Sequence, residues 1–148
     1  MTTTKALPMQ PDSFADLPRW SFGGGGTLAD ELGALVVAGA KTATCSTLAE
    51  YEETGEPIPR PGLSVVVDQY DQSLCVIETT DVLIQPVSSV DAEFARAEGE
   101  GDLSLAYWRA AHNDFFASQG RTLRDDTLLV CEWFRLVHVF DPQTLEKS

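Results

Sequence analysis

Gly39-Ala40-Lys41-Thr42-Ala43-Thr44 separates two kinds of residue pattern. Upstream, Leu28, Leu32, Leu35 and Val36 recur at the spacing of one apolar helical face. Thr27-Leu28-Ala29-Asp30 fits a capping box at the start of that helix, and Gly39 fits its C-terminal glycine. The helix therefore delivers Lys41 just past its end, where the negative end of the dipole favours a cation. Downstream, Thr42, Ala43 and Thr44 open an extended segment. The chain has three lysines, and Lys5 and Lys147 lie in the tails, so Lys41 is the only one in the body. It stands three positions before the hydroxyl of Thr44. An ammonium beside a hydroxyl suits nucleophile activation or anion recognition; a helix end followed by a strand start accounts for the same spacing.

At 148 residues the chain reads as one domain with a leader or extended arm over residues 1–19, a body over 20–141 and a tail over 142–148. No apolar run approaches the length of a membrane span, and the N-terminus lacks a basic region followed by an apolar stretch. Cys45, Cys75 and Cys131 are odd in number and far apart, which suits reduced, buried thiols of a cytoplasmic protein. The net charge of -13 repels polyphosphate at long range and opposes bulk nucleic-acid binding, so any such function needs a small site and a small ligand.

The arm contains Pro8, Pro11 and Pro18, with Leu17, Trp20 and Phe22 available to pack it, and Gly23 to Gly26 read as a flexible turn. Residues 50–62 are acidic and rich in proline, a loop with a short helical turn at Thr47 to Glu53. Leu63 to Val67 and Leu74 to Ile84 read as a hairpin around Tyr70-Asp71-Gln72-Ser73, ended by Pro86. Ser88 or Ser89 would cap a helix through Ala97 carrying Val90, Phe94 and Ala97 on one face. Asp102 would cap a second helix to about Ser118, with Leu103, Tyr107, Ala110, Ala111 and Phe115 buried and Trp108 rimming a pocket or packing. Thr127 to Phe140 reads as a closing strand, with Arg135 out of parity unless a bulge intervenes. Helices and antiparallel strands are segregated, which predicts an α+β fold: a small antiparallel β-barrel with flanking helices.

Several strings in this order resemble the ASCH family, a branch of the PUA-like superfamily. They are Ala29-Asp30-Glu31-Leu32 with Gly39 to Thr44; Gly55-Glu56-Pro57-Ile58-Pro59; Val76-Ile77-Glu78-Thr79-Thr80; Phe94 through Gly101-Asp102; Tyr107-Trp108-Arg109 with His112; and Leu129-Val130-Cys131-Glu132. The resemblance implies a pocket at a barrel mouth suited to RNA or a nucleoside. Small bacterial members resemble amidohydrolases that remove the acyl group of N4-acetylcytidine with a lysine, a threonine and a glutamate. Those positions map onto Lys41, Thr44 and, by the Ala-x-x-Glu spacing, Glu98. The short enzymes carry an arginine where this chain has Ser46, and longer members look like ribonucleases. A non-catalytic RNA-binding module is a third reading. The implied partners are a nucleoside or single-stranded RNA, with no membrane and a monomer or homodimer; no cofactor is implied.

In the expected reaction Thr44 attacks the acyl carbonyl, Lys41 accepts its proton after burial lowers its pKa, and Glu98 protonates the leaving N4. The converse assignment keeps Lys41 cationic for the oxyanion and makes Glu98 the base. On the first assignment, Lys41→Met would abolish turnover with the melting curve near wild type. Tyr51 and Arg60 flank the acidic loop and could stack on and clamp a ligand. Glu78, a mid-strand carboxylate, would pair inward with Lys41 or Arg60. His112 and His138 lack partners at metal-ligand spacing, so no metal site is readable.

Overall fold

The computed structural model describes residues 14–22, 26–101 and 103–140. The readings placed on Pro8, Pro11, Gly23 to Gly25 and the side chain of Asp102 lie outside them. Among the described residues five strands hydrogen-bond in the order β1-β3-β4-β5-β2, with four α-helices, an α+β fold. The strands are β1 Arg19–Trp20, β2 Ala43–Thr47, β3 Gly62–Val67, β4 Ser73–Pro86 and β5 Leu128–Val139; the helices are α1 Gly26–Val37, α2 Leu48–Thr54, α3 Ala92–Glu98 and α4 Leu105–Ser118. The sheet is mixed where an antiparallel one was expected, because β1 runs parallel to β3 while β3–β4 and β2–β5 are antiparallel. Contacts divide the chain into two compact units: the described parts of Met1–Gly39, Gly62–Thr79 and Arg135–Ser148, and Ala40–Pro61 with Thr80–Phe134.

In the first unit Phe14, Val65, Val67 and Val76 form a buried cluster with Leu17, Val137 and Phe140 against it. The arm is thus part of a core from Phe14 onward. α1 buries Ala29, Gly33 and Val36, one residue-step round from the leucines that the sequence pattern favoured. A Cβ at Gly33 would lie 2.6 Å from Leu74 Cδ1, so the missing side chain is what lets this leucine seat against the helix. Asp30 does not close a capping box. It accepts from the Gln69 backbone N–H at 2.9 Å and from Gln69 Nε2 at 2.6 Å, fixing the hairpin turn. Glu78 pairs with Arg135, Nε to Oε1 at 2.7 Å, in place of the expected Lys41 or Arg60. That ion pair also gives Arg135 its reason to be exposed.

In the second unit the capping box forms at Thr47 and Glu50, opening α2 directly from the end of β2. α3 is capped by Asp91, whose Oδ1 accepts from Phe94 N at 2.9 Å, and not by Ser88 or Ser89, which lie in a 3-10 turn. α4 is capped by Ser104 and starts at Leu105, later than expected. Leu103 has φ +69, outside the helix, so the helical register rotates. Trp108 and Phe116 face inward, the packing alternative for the tryptophan, while Tyr107, expected on the buried side, is 42% exposed. The core is Ala43, Val87, Val90, Phe94, Ala95, Trp108, Leu129 and Cys131. β2 and β5 pair from Ala43↔Trp133 to Thr47↔Leu129 with no bulge in that stretch.

Candidate functional site

Lys41 leaves the segment before β2 and runs into the interior of the second unit, 1% exposed. Its ammonium donates to Glu98 Oε1 and Glu100 Oε2, both at 2.9 Å, and to the Glu98 carbonyl oxygen at 3.3 Å. The backbone holds the same junction, since Thr42 N donates to the Ala97 carbonyl at 2.6 Å. Glu98, also 1% exposed, takes donors on both oxygens. Its Oε2 accepts from Trp108 Nε1 at 2.8 Å and Cys45 Sγ at 3.3 Å, with His112 Nε2 at 3.2 Å. Trp108 and His112 stack with ring centroids 4.2 Å apart, one helical turn apart on α4.

These partners set the protonation states. Burial would raise the Glu98 carboxyl, but the Lys41 charge and the hydrogen bond from His112 outweigh it and hold the pKa at about 2. Burial would likewise lower Lys41, and Glu98 with Glu100 overcome that and raise it, so the ammonium stays charged. His112 is raised too, against burial, by its hydrogen bond to Glu98 and that carboxylate's charge. Both imidazole nitrogens face acceptors, Nδ1 lying 2.8 Å from the Trp108 carbonyl oxygen, and only the imidazolium donates to both. Lys41 as proton acceptor and Glu98 as proton donor are therefore reversed in charge: the lysine has no lone pair to offer and the glutamate no proton.

A pH dependence of folding follows. Glu98 is depressed, so its contribution is present above its ordinary 4.5 and is lost as pH falls toward about 2. His112 is raised, so its contribution is present below 6.5 and fades as pH rises through the folded value. The cluster thus stabilises most between these two ordinary pKa values. Urea unfolding followed by tryptophan fluorescence should show a loss of about 2 kcal/mol from Glu98 alone between about pH 6 and about pH 3.

Cys45, Glu98 and His112 each bring a ligand-type atom within 4.8 Å of the others, a grouping invisible in sequence spacing. In the state described, the thiol and the imidazolium present protons to the carboxylate, and burial with the Glu98 charge pushes the Cys45 thiol well up. The donor set is hydrogen-bonded to itself.

Thr44 is not drawn into this cluster. Side chains alternate across the pleat, so Cys45 on the Glu98 side puts Thr44 and Ser46 on the other face of β2. There Thr44 stands opposite Glu132 and Ser46 opposite Val130 on β5. Glu132 is only 7% exposed. Tyr51, presented by α2, has its phenol pushed up to about 12 by burial and then by the Glu132 charge, while a hydrogen bond with Ser46 opposes the rise. Thr44, Ser46, Tyr51 and Glu132 therefore share one polar face. Of the other proposed binding residues, Arg60 is exposed beyond α2, Glu78 belongs to the first unit, and Trp108 spends its N–H on Glu98. Sequence reasoning missed Cys45, Glu100, His112 and Glu132 as site residues. The signal for Glu132 was the one used for Glu78, a carboxylate in mid-strand; the Trp108–His112 interval was the signal for the histidine.

The family model of the ASCH domain matches residues 18–138. A protein of Enterococcus faecalis V583, assigned to the DUF984 family model, superposes with a TM-score of 0.74 at 37% identity, covering 88% of this chain and 81% of that one. The ASCH domain of Lactobacillus crispatus JV V101 gives 0.75 at 32% identity, covering 93% and 87%. A tyrosine-to-phenylalanine mutant of the Zymomonas mobilis ASCH protein shares the fold at 0.51 and 10% identity, over 80% and 74%. Comparison with curated proteins found no match. The fold class is α+β of the PUA-like kind. The chain belongs to the ASCH family. Among the described residues no helix is long and apolar enough to cross a membrane.

Proposed function

We propose that the protein is a hydrolase that removes the acyl group from N4-acylated cytidine nucleosides, with Thr44 as nucleophile and the buried Lys41–Glu98 pair fixing the start of the strand that carries it. The observation that carries this reading is the buried Lys41–Glu98 pair at 2.9 Å, the convergence that the resemblance to the amidohydrolases implies, with Lys41 three residues before Thr44. Glu98 keeps the lysine in position, and Thr42 N, donating to the Ala97 carbonyl oxygen at 2.6 Å, ties the approach to β2 to the same helix end. Glu98, loaded with four side-chain donors, is a positioning residue and not the proton acceptor. The charge of -13 favours a nucleoside over a long polyanion, which ranks this activity above cleavage of single-stranded RNA.

The test follows cytidine ultraviolet absorbance on N4-acetylcytidine beside a labelled single-stranded RNA in EDTA. Nucleoside conversion supports the proposal; RNA cleavage alone, or binding with no conversion, replaces it with a ribonuclease or a binding module. Thr44→Val removes the hydroxyl at a half-buried strand position that tolerates valine. It should lower kcat by at least about 100-fold with an unchanged melting temperature.

A further inference from the structure

We infer that Glu132 is the proton acceptor of Thr44. This inference rests on the amidohydrolase reading for its reaction, but not for its geometry. Three observations on one face of the β2–β5 pair converge. Thr44 and Glu132 are direct antiparallel partners. Such pairs hold their Cβ atoms about 5 Å apart on the same side of the sheet, within reach for a glutamate and a threonine hydroxyl. Glu132 is buried at 7% exposure, so its carboxylate is held on this face of the sheet rather than out in solvent. Tyr51 couples to Ser46 and feels the Glu132 charge, so hydroxyls from Ser46 and Tyr51 gather at the nucleophile's own face. Glu98 cannot do the same task, since Cys45 and not Thr44 is turned toward it.

The step balances as follows. As the Thr44 Oγ1–C bond to the acyl carbon forms, the hydroxyl proton passes to Glu132 and the carbonyl electrons move to the oxygen. Collapse of the adduct breaks the C–N4 bond, and the Glu132 carboxyl returns its proton to N4, leaving cytidine and an acyl ester on Thr44. Water, deprotonated by Glu132, then attacks the ester carbon; the C–Oγ1 bond breaks, Glu132 returns the proton to Thr44 Oγ1, and the carboxylic acid is released.

The experiment pairs two readouts. The first is acetylation of Thr44 by p-nitrophenyl acetate, located by peptide mass, which needs the nucleophile and its base but no nucleoside. The second is steady-state turnover of N4-acetylcytidine. Glu132→Gln should slow Thr44 acetylation and lower kcat by about 100-fold or more with KM little changed, while Glu132→Asp, which keeps a carboxylate, should retain part of both. Acetylation of Thr44 in Glu132→Gln at the wild-type rate overturns the inference even if the nucleoside is a substrate. Wild-type acetylation that depends on Glu132, without nucleoside turnover, supports the Thr44–Glu132 pair and sinks only the substrate reading. Should Glu132→Gln not fold, Glu132→Asp decides alone: a folded aspartate variant with no acetylation above that of Thr44→Val overturns it.

Discussion

Lys41→Met is expected to lower the unfolding free energy by about 3–5 kcal/mol, because removing one member of a buried ion pair leaves the other charge unpaired. Here the abandoned group is Glu98, 1% exposed, which keeps Trp108, Cys45 and the His112 imidazolium but loses the stronger of its two positive charges, the Lys41 ammonium. The methionine fills the volume and offers no donor. The sequence alone predicts a near-wild-type melting curve for this variant; the burial of Lys41 at 1% exposure predicts a destabilised one. Turnover should be lost as well, so stability and activity fall together, and Thr44→Val separates them. Glu100→Gln is the matching control. It keeps an acceptor for Lys41 at the partly exposed side, so its stability should change by about 1 kcal/mol or less. A Lys41→Met protein with wild-type stability in urea would refute the locked-cation description of the site.

Gly99→Ala should also cost about 2–5 kcal/mol, through two mechanisms acting at one atom. Gly99 ends α3 with φ +72, a left-handed conformation that costs about 1–2 kcal/mol for a residue with a Cβ. The added Cβ would also strike the Ala40 carbonyl oxygen, and come within 2.6 Å of the Ala40 carbonyl carbon and 2.9 Å of Lys41 Cα. Those are backbone atoms that no rotamer change can clear, and overpacking of this kind costs about 1–3 kcal/mol more. Relief requires α3 to withdraw from the start of β2, which pulls Glu98 from Lys41 and from His112. Besides the stability loss, NMR titration should show the His112 pKa falling back from its raised value toward 6.5. An unshifted histidine in a destabilised variant would show that the glycine matters to the helix end only. The close approach also gives the glycine that directly follows the Ala-x-x-Glu string a physical reason.

The element order was largely legible because it rests on local chemistry. The helix over 26–37, the hairpin around residues 68–72, the helix before Gly99 and the closing strand all follow from periodicity, glycine and turn residues. Errors concentrated at caps. Thr27 to Asp30 and Thr47 to Glu50 carry equally good capping signals, and only the second is used, because Gln69 competes for Asp30. Ser104 in place of Asp102 rotates α4 enough to exchange Trp108 for Tyr107 at the core.

By itself, the sequence determined the family, the α+β class, and the isolation of Lys41 in the body of an acidic chain, since these depend on residue types and their order. The pairing of Lys41 with Glu98, implied by resemblance, is present as a 2.9 Å contact. Tertiary structure alone decided which groups are charged and which face Thr44. Burial and four donors make Glu98 a fixed anion, and that is a property of the surroundings, not of the residue. The pleat of β2 sends Cys45 toward Glu98 and Thr44 toward Glu132, a choice of face that a one-residue shift in register would invert.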